Sequence, residues 1–386
     1  MQRREFIVKG MLSAIMIAGR ALYSPAQAAE SGDIVLGQSA PLSGSFSELG
    51  KAYRDGALLY FDKVNRAGGV HARRIRLDTL DDGYVPKRAE DNTRQLIKKH
   101  KALALFGHMF TNTVKASLPI ATAAQVPYIA PYTGISELYS EFNPMLFMTR
   151  ASFAAELDAL LKHVKAMGLQ RVALIRYDSP QGIELEKELD SKMRAMHLTP
   201  VAIASMKLNS RDPAQAAAAL APARPAAVLL GVSGGDAVAF IRQFNQVATA
   251  KPIQYLARSL VAGHQLVAEL GEESRGIVMS QLVPSPFNGK TRIAREYQAA
   301  LKDAAPVGIK LLASHVGFEG FIAGKIATEA LRRAGSNPTR NAFTTALESL
   351  HDWDCGDFTI DFSPTGHAGS KFVTVTVIGA GGHFIE

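Results

Sequence analysis

The chain has 386 residues, of which 47% are apolar, with a formal charge of +8 and one cysteine, Cys355. That length exceeds what a single core usually serves and points to two domains, and one cysteine excludes an internal disulfide, so stability must come from packing. The charge forms no basic stripe interleaved with aromatics, which argues against a nucleic-acid partner.

Residues 1–28 have a basic head, a short apolar middle and a small-residue exit at Ala26, Gln27 and Ala28. This is the pattern of a secretory signal peptide cut after Ala28. Arg3 and Arg4 followed by Phe6, Ile7 and Lys9 resemble the twin-arginine export motif, with Sec export as the alternative. The apolar run from Met11 to Gly19 is far shorter than the roughly 20 residues a membrane span needs. Removing the segment lowers the charge to about +5, a mildly positive surface that favours anionic solutes.

From Ile34 to Gly83 the sequence reads as an apolar strand, a Ser/Gly/Pro turn, an amphipathic helix and a second strand ending in Asp81 and Asp82. Tyr53, Ala57, Tyr60, Phe61 and Val64 share one helical face, and Gly68 and Gly69 stop the helix. The order is that of a βαβ unit opening an α/β domain. Further short apolar runs, at Arg74 to Thr79, Ala102 to Phe106, Tyr128 to Ala130, Arg171 to Tyr177, Ala226 to Gly231 and Gly276 to Val283, read as buried parallel strands. Helical patterns lie between them. Ala237, Ile241, Phe244 and Ala248 form one apolar stripe, and Ala214 to Ala223 reads as a solvent-side helix. A helical region spans Leu311 to Leu350, and strands return at Phe358 to Phe362 and Phe372 to Ile378. The fold class is therefore α/β, doubly wound, in two lobes: 31–148 plus 285–354, and 149–284 plus 355–386. Chain crossings near Thr149, Pro284 and Cys355 make a hinge, and a cleft is expected at the carboxyl ends of the strands.

The motifs of common enzymes are missing. Gly289, Lys290 and Thr291 spell GKT, but Pro284 stands where a phosphate loop needs its first glycine. There is no HExxH, no GxSxG and no strand-linked GxGxxG; Gly231 to Gly235 is off that pattern. The ten histidines are scattered rather than at metal-ligand spacing. No catalysis, cofactor or metal is expected. A binding site is better supported. After the strand ending at Phe106, GHMFTNT places Thr111 or Asn112 to cap the next helix, whose amino end suits a carboxylate. The neighbouring strand ends in IAPYTGISEL, which offers Tyr132, Thr133 and Gly134.

These residues resemble the leucine/isoleucine/valine-type periplasmic binding proteins of ABC transporters, which share a GxSxPLTG-like turn (Gly37 to Gly44), an N-x-x-G-G-[VI] helix end (Asn65 to Val70) and an Asp pair (Asp81, Asp82). The resemblance implies the type I periplasmic binding protein fold with two Rossmann-like lobes, a periplasmic location, a monomer, and capture of a small-molecule solute for a membrane permease. A ligand-sensing receptor for a signalling partner is the alternative. It further implies that Thr111 holds the ligand carboxylate, that Met109 and Phe110 line the same wall, and that Tyr132 with Thr133 or Gly134 supplies the second first-lobe contact. Ser43 to Phe46 and Leu49 would lie at the pocket mouth. The family's second-lobe tyrosines fall on Gln181 and Ser233, and the acid that pairs with a ligand ammonium falls near Ser259, beside Arg258. Without that acid a buried ammonium is costly to desolvate. A carboxylate lacking an amine, such as an aromatic acid, fits as well as an amino acid, with Arg258 either at its far end or on a solvated loop. Tyr84 and Phe110 occupy positions where some relatives have bonded cysteines, and an aromatic contact is expected instead. Cys355 is expected to be a buried small hydrophobe near the hinge.

Overall fold

The computed structural model describes residues 32–386 apart from 211, 251, 262 and 305–310. The signal peptide expected over residues 1–28 lies outside the described residues. The chain first alternates β1 (Ile34–Ala40), α1 (Ser47–Arg66), β2 (Ile75–Asp81), α2 (Pro86–Lys98), β3 (Ala104–Phe106), α3 (Thr111–Ala123), β4 (Tyr128–Ile129), α4 (Glu137–Ser140) and β5 (Leu146–Phe147). These strands form one parallel sheet in the order β2-β1-β3-β4-β5.

A second series follows: α5 (Phe153–Ala166), β6 (Val172–Tyr177), α6 (Pro180–Ala195), β7 (Ala202–Met206), α7 (Ala214–Leu220), β8 (Ala227–Gly231), α8 (Gly234–Val247), β9 (Gln254–Ala257), α9 (Gly263–Leu270) and β10 (Val278–Gln281). The chain then supplies α10 (Arg292–Ala304), α11 (His315–Arg333), α12 (Arg340–Glu348) and a short ribbon of β11 (Trp353–Asp354) and β12 (Thr359–Ile360). It finishes with β13 (Thr374–Ile378) and β14 (Phe384–Ile385). The second sheet runs β14-β13-β10-β9-β8-β6-β7, parallel except for the antiparallel β13 and β14. Each sheet thus reverses strand order next to its first strand, at β1/β3 and at β6/β8, and such switch points open a crevice at the strand carboxyl ends.

The opening motifs have structural causes. Asn65 ties the end of α1 to β2, its amide donating to the Ile75 carbonyl at 2.8 Å while its oxygen accepts from the Ile75 N–H at 2.8 Å. Gly69 sits at φ 78°, and a Cβ there would meet the Arg73 carbonyl oxygen at 2.1 Å, so only glycine lets the chain turn back so tightly. Asp81 accepts from the backbone of Leu42, Ser43 and Gly83 and from the Ser43 hydroxyl, and Asp82 accepts from Ser39 and from the Tyr84 N–H. The Asp pair therefore builds the β1–α1 turn and the start of the next loop.

Helix α11 returns to the first lobe. A Cβ at Gly56 of α1 would meet the Gly317 carbonyl oxygen at 1.8 Å, so the two helices pack backbone to backbone. One apolar cluster joins α1, α10, α11 and α12 to the first sheet, and Cys355, Phe358, Ile360 and Phe362 belong to it. This corrects the lobe boundary placed at Cys355. The apolar residues after Cys355 complete the first core, and the chain reaches the second sheet only with β13, beyond Phe372. Burial pushes the Cys355 thiol up to about 12, in keeping with a packing role.

Candidate functional site

A cleft of about 160 Å3 opens where the carboxyl ends of β3, β6 and β8 face one another. First-lobe residues Phe46, Tyr84, Phe110, Thr111, Asn112, Ile135 and Ser136 line one side. Phe153, Tyr177, Ser179, Gln181, Glu184, Glu188, Val232, Ser233, Arg258 and Val261 line the other. Most of this wall is apolar or aromatic, as in sites that enclose small organic ligands.

The first-lobe side is held by its backbone. Phe110, at φ 67° and ψ 150°, is in a region nearly reserved for glycine. It is pinned there by its N–H donating to the Tyr132 carbonyl at 3.0 Å, and by its ring, which lies 4.7 Å from Phe46 and 5.4 Å from Tyr84. The Tyr84–Phe110 edge-to-face contact is the aromatic pair expected in place of a crosslink. Helix α3 starts directly after Phe110, and no side chain caps its amino end. The expectation that Thr111 or Asn112 would be the cap is therefore corrected. Phe110 takes the cap position, the Thr111 hydroxyl turns to Thr133 at 2.8 Å, and the Asn112 amide donates to the Tyr84 hydroxyl at 3.2 Å. The open end of α3 keeps the positive pole of its dipole.

On the second-lobe side, Ser179 caps α6 by accepting from the Gly182 N–H. Tyr177 accepts from the Ser233 N–H at 3.1 Å and donates to Asp236 at 3.1 Å, which fixes the start of α8. Arg258 lies over the Phe153 ring, its guanidinium carbon 4.5 Å from the ring centre. Its buried Nε has no hydrogen-bond partner among the described residues. Burial holds this guanidinium below its ordinary value. Two carboxylates on α6 share the wall: Glu188, which accepts from the Ser136 hydroxyl of the opposite lobe at 2.9 Å, and Glu184, exposed at the rim and raised by partial desolvation.

Behind the cleft is a smaller cavity of about 20 Å3, lined in part by Tyr132, Ser259, Gln281, His315 and Glu319. Here Arg150, 1% exposed, donates to the Ser259 hydroxyl at 2.6 Å, faces Glu319 at 3.3 Å and stacks on Tyr132 at 4.1 Å. Buried Glu156 accepts from the Ser259 N–H and hydroxyl and from the Ser280 hydroxyl. Tyr132 donates to the Ser259 carbonyl at 3.3 Å. Burial raises Glu319 to about 7, Arg150 offsets this only in part, and Glu156 adds to it.

Five of the ten residues singled out from the sequence therefore line the main cleft: Phe110, Thr111, Gln181, Ser233 and Arg258. Met109 and Thr133 are fully buried behind it. Gly134 lies against Phe153, where a Cβ would meet the Phe153 nitrogen at 2.8 Å. Tyr132 and Ser259 line the rear cavity and tie the two lobes together. Tyr177, Glu184, Glu188 and Phe153 had not been singled out. Tyr177 ends β6 and Phe153 opens α5, while Glu184 and Glu188 lie one and two turns into α6, so position was their only sequence signal.

The family described as periplasmic binding protein matches residues 33–383. A Leu/Ile/Val-binding protein homologue of Brucella suis is 27% identical over 255 residues, 63% of this chain and 62% of that protein, so the match spans less than two thirds of the relative's length. The crystal structure of a substrate-binding periplasmic protein from Ralstonia solanacearum superposes with a TM-score of 0.85 at 30% identity, covering 92% of this chain and 99% of that one. A solute-binding protein of an ABC transporter from R. palustris, solved with benzoate, superposes with a TM-score of 0.76 over 92% of this chain and 95% of that one. At 22% identity it shows the fold alone.

Proposed function

The chain belongs to the periplasmic binding protein family, and from that premise we propose that it captures a small carboxylate-bearing solute in the interlobe cleft and delivers it to the membrane permease of an ABC importer. The observation that carries this reading is the cleft itself. It sits at the switch points of two sheets, has apolar walls, and is faced on one side by the uncapped amino end of α3. Helix amino ends attract carboxylates through their free N–H groups and dipole. The volume is comparable to that of an engineered protein cavity that accepts benzene. No titratable pair in the cleft is arranged as nucleophile and base among the described residues, in keeping with a family of binding proteins.

Capture is read as closure of the lobes around the solute, a shift between open and closed forms that the solute stabilises by touching both walls. No helix among the described residues is long and apolar enough to cross a membrane. The periplasm is the compartment this role implies. The reading is tested by a thermal-shift panel of amino acids and carboxylic acids on the protein stripped of co-purified solute, followed by uptake assays in cells lacking the gene. A rise in melting temperature with a carboxylate, and loss of uptake of the same compound, are expected. No shift across the panel would refute the reading.

A further inference from the structure

We propose that Arg258 is the charge-pairing group of the cleft and that the solute is an apolar monocarboxylate whose single carboxylate is shared between Arg258 on one wall and the amino end of α3 on the other, with no amine required. This rests on the reading of the cleft as a carboxylate-binding site and names its substrate class.

A guanidinium carries five N–H donors, never deprotonates in practice, and is costly to bury without an acceptor. Arg150, the fully buried arginine near the site, has Glu319, Ser259 and the Tyr132 ring around it, although its own Nε and Nη1 also lack hydrogen bonds among the described residues. Half-buried Arg258 lies on the face of Phe153, its Nε is buried without a hydrogen-bond partner among the described residues, and Glu156, Glu188 and Glu184 act on it without forming an ion pair there. The ring holds the guanidinium plane in place through a cation–π contact. Arg258 lines the cleft and is the one cation among its lining residues. A planar carboxylate matches a guanidinium edge in shape and charge.

The remainder of the site argues against a ligand ammonium. Glu156 is the fully buried acid nearby, but its oxygens are taken by Ser259 and Ser280 in the rear of the site. Glu184 is exposed and keeps its water, and Glu188 is engaged by Ser136. An ammonium placed deep in the cleft would face Arg258 itself. The body of the solute instead meets Phe46, Tyr84, Phe110, Phe153, Val232 and Val261, which is apolar and largely aromatic surface.

The test is calorimetric titration of the full mature protein with benzoate, benzamide, isocaproate and leucine, using wild type, Arg258→Met and Arg258→Lys. Wild type should bind benzoate or isocaproate more tightly than leucine, and benzamide weakly. Arg258→Met should weaken the carboxylates by about 10- to 100-fold while leaving benzamide nearly unchanged. Arg258→Lys, which keeps the charge but loses the planar fork, should fall between and guards against a folding defect in the first variant. Carboxylate affinity unchanged in both variants would overturn the role of Arg258 and leave the carboxylate-binding reading standing. Tight leucine binding with no response to isocaproate would overturn the substrate class. Failure of wild type to bind any of the acids would refute both this inference and the reading beneath it.

Discussion

Two arginines lie in the second lobe and its hinge, each over an aromatic ring; Arg150 is fully buried, Arg258 half-buried, and their surroundings differ. Arg150 stacks on Tyr132 and is enclosed by Glu319, Glu156 and Ser259; although burial opposes its charge, these anions raise its basicity further. Arg258 stacks on Phe153 without an ion pair, and burial lowers its basicity more than Glu156, Glu188 and Glu184 raise it. The same residue type thus serves two purposes. A paired buried charge holds elements together, whereas an unpaired one stores a demand for a partner that arrives from outside.

Replacing Arg150 is the strongest way to break this contrast. Arg150→Met leaves Glu319 and Glu156 buried without a cation and should destabilise the fold by about 3–5 kcal/mol in urea denaturation. If the loss is under about 1 kcal/mol, the hinge network is not structural.

Glu319 gives the next largest effect. Folding lifts this carboxyl from 4.5 to about 7. The folded state therefore holds more protons than the unfolded state across that window, and stability falls as pH rises through it. His315, one turn earlier on α11, is lowered by burial to about 3, as is His108, so their contribution is present above pH 6.5 and is lost as pH falls. Opposed slopes flatten the wild-type profile. Glu319→Gln removes one side, so from pH 5 to pH 8 the variant should gain on wild type by up to about 3 kcal/mol. A constant difference at the two pH values would show that Glu319 does not titrate in the fold.

A third variant probes the first-lobe wall. Thr111→Ala should weaken carboxylate binding by about 1–3 kcal/mol if its hydroxyl turns from Thr133 to the solute. An unchanged affinity would make the Thr111–Thr133 bond purely structural. The smallest expected effect has the opposite sign to that of Arg150. Ligand-free Arg258→Met should be more stable than wild type by about 1 kcal/mol, because an unsatisfied buried charge is removed. A clear loss in melting temperature would mean that Arg258 is structurally paired after all.

The sequence made the container legible because its signals are local. Asn65, Gly69, Asp81 and Asp82 each act within one turn, and the 3.6-residue stripe of α1 needs no tertiary context to be read. A strand of two residues such as β5 gives too short a pattern to delimit, and the exposed positions of β7 break up its apolar run. The boundary at Cys355 failed because an apolar residue near a crossing fits either core, and only packing decides which. The site was half legible. Phe110 and Thr111 follow a strand end and could be found by that position. Ser259 occupies the place expected for a ligand partner, but Arg150, over a hundred residues away in sequence, draws it into the hinge. Glu188 carries no signal in the sequence, because its partner Ser136 belongs to the other lobe.

The location of the Arg150 knot has a mechanical consequence. It sits where the chain first passes from one sheet to the other, and the second passage, between Gln281 and Val283, borders the same rear cavity. In any rotation of the lobes, atoms nearest the axis travel least while those at the rim travel furthest along the lever arm. An ion pair at the pivot can keep its geometry through the whole stroke. The Ser136–Glu188 hydrogen bond joins the two walls of the cleft itself, so a rotation that opens the cleft has to break it.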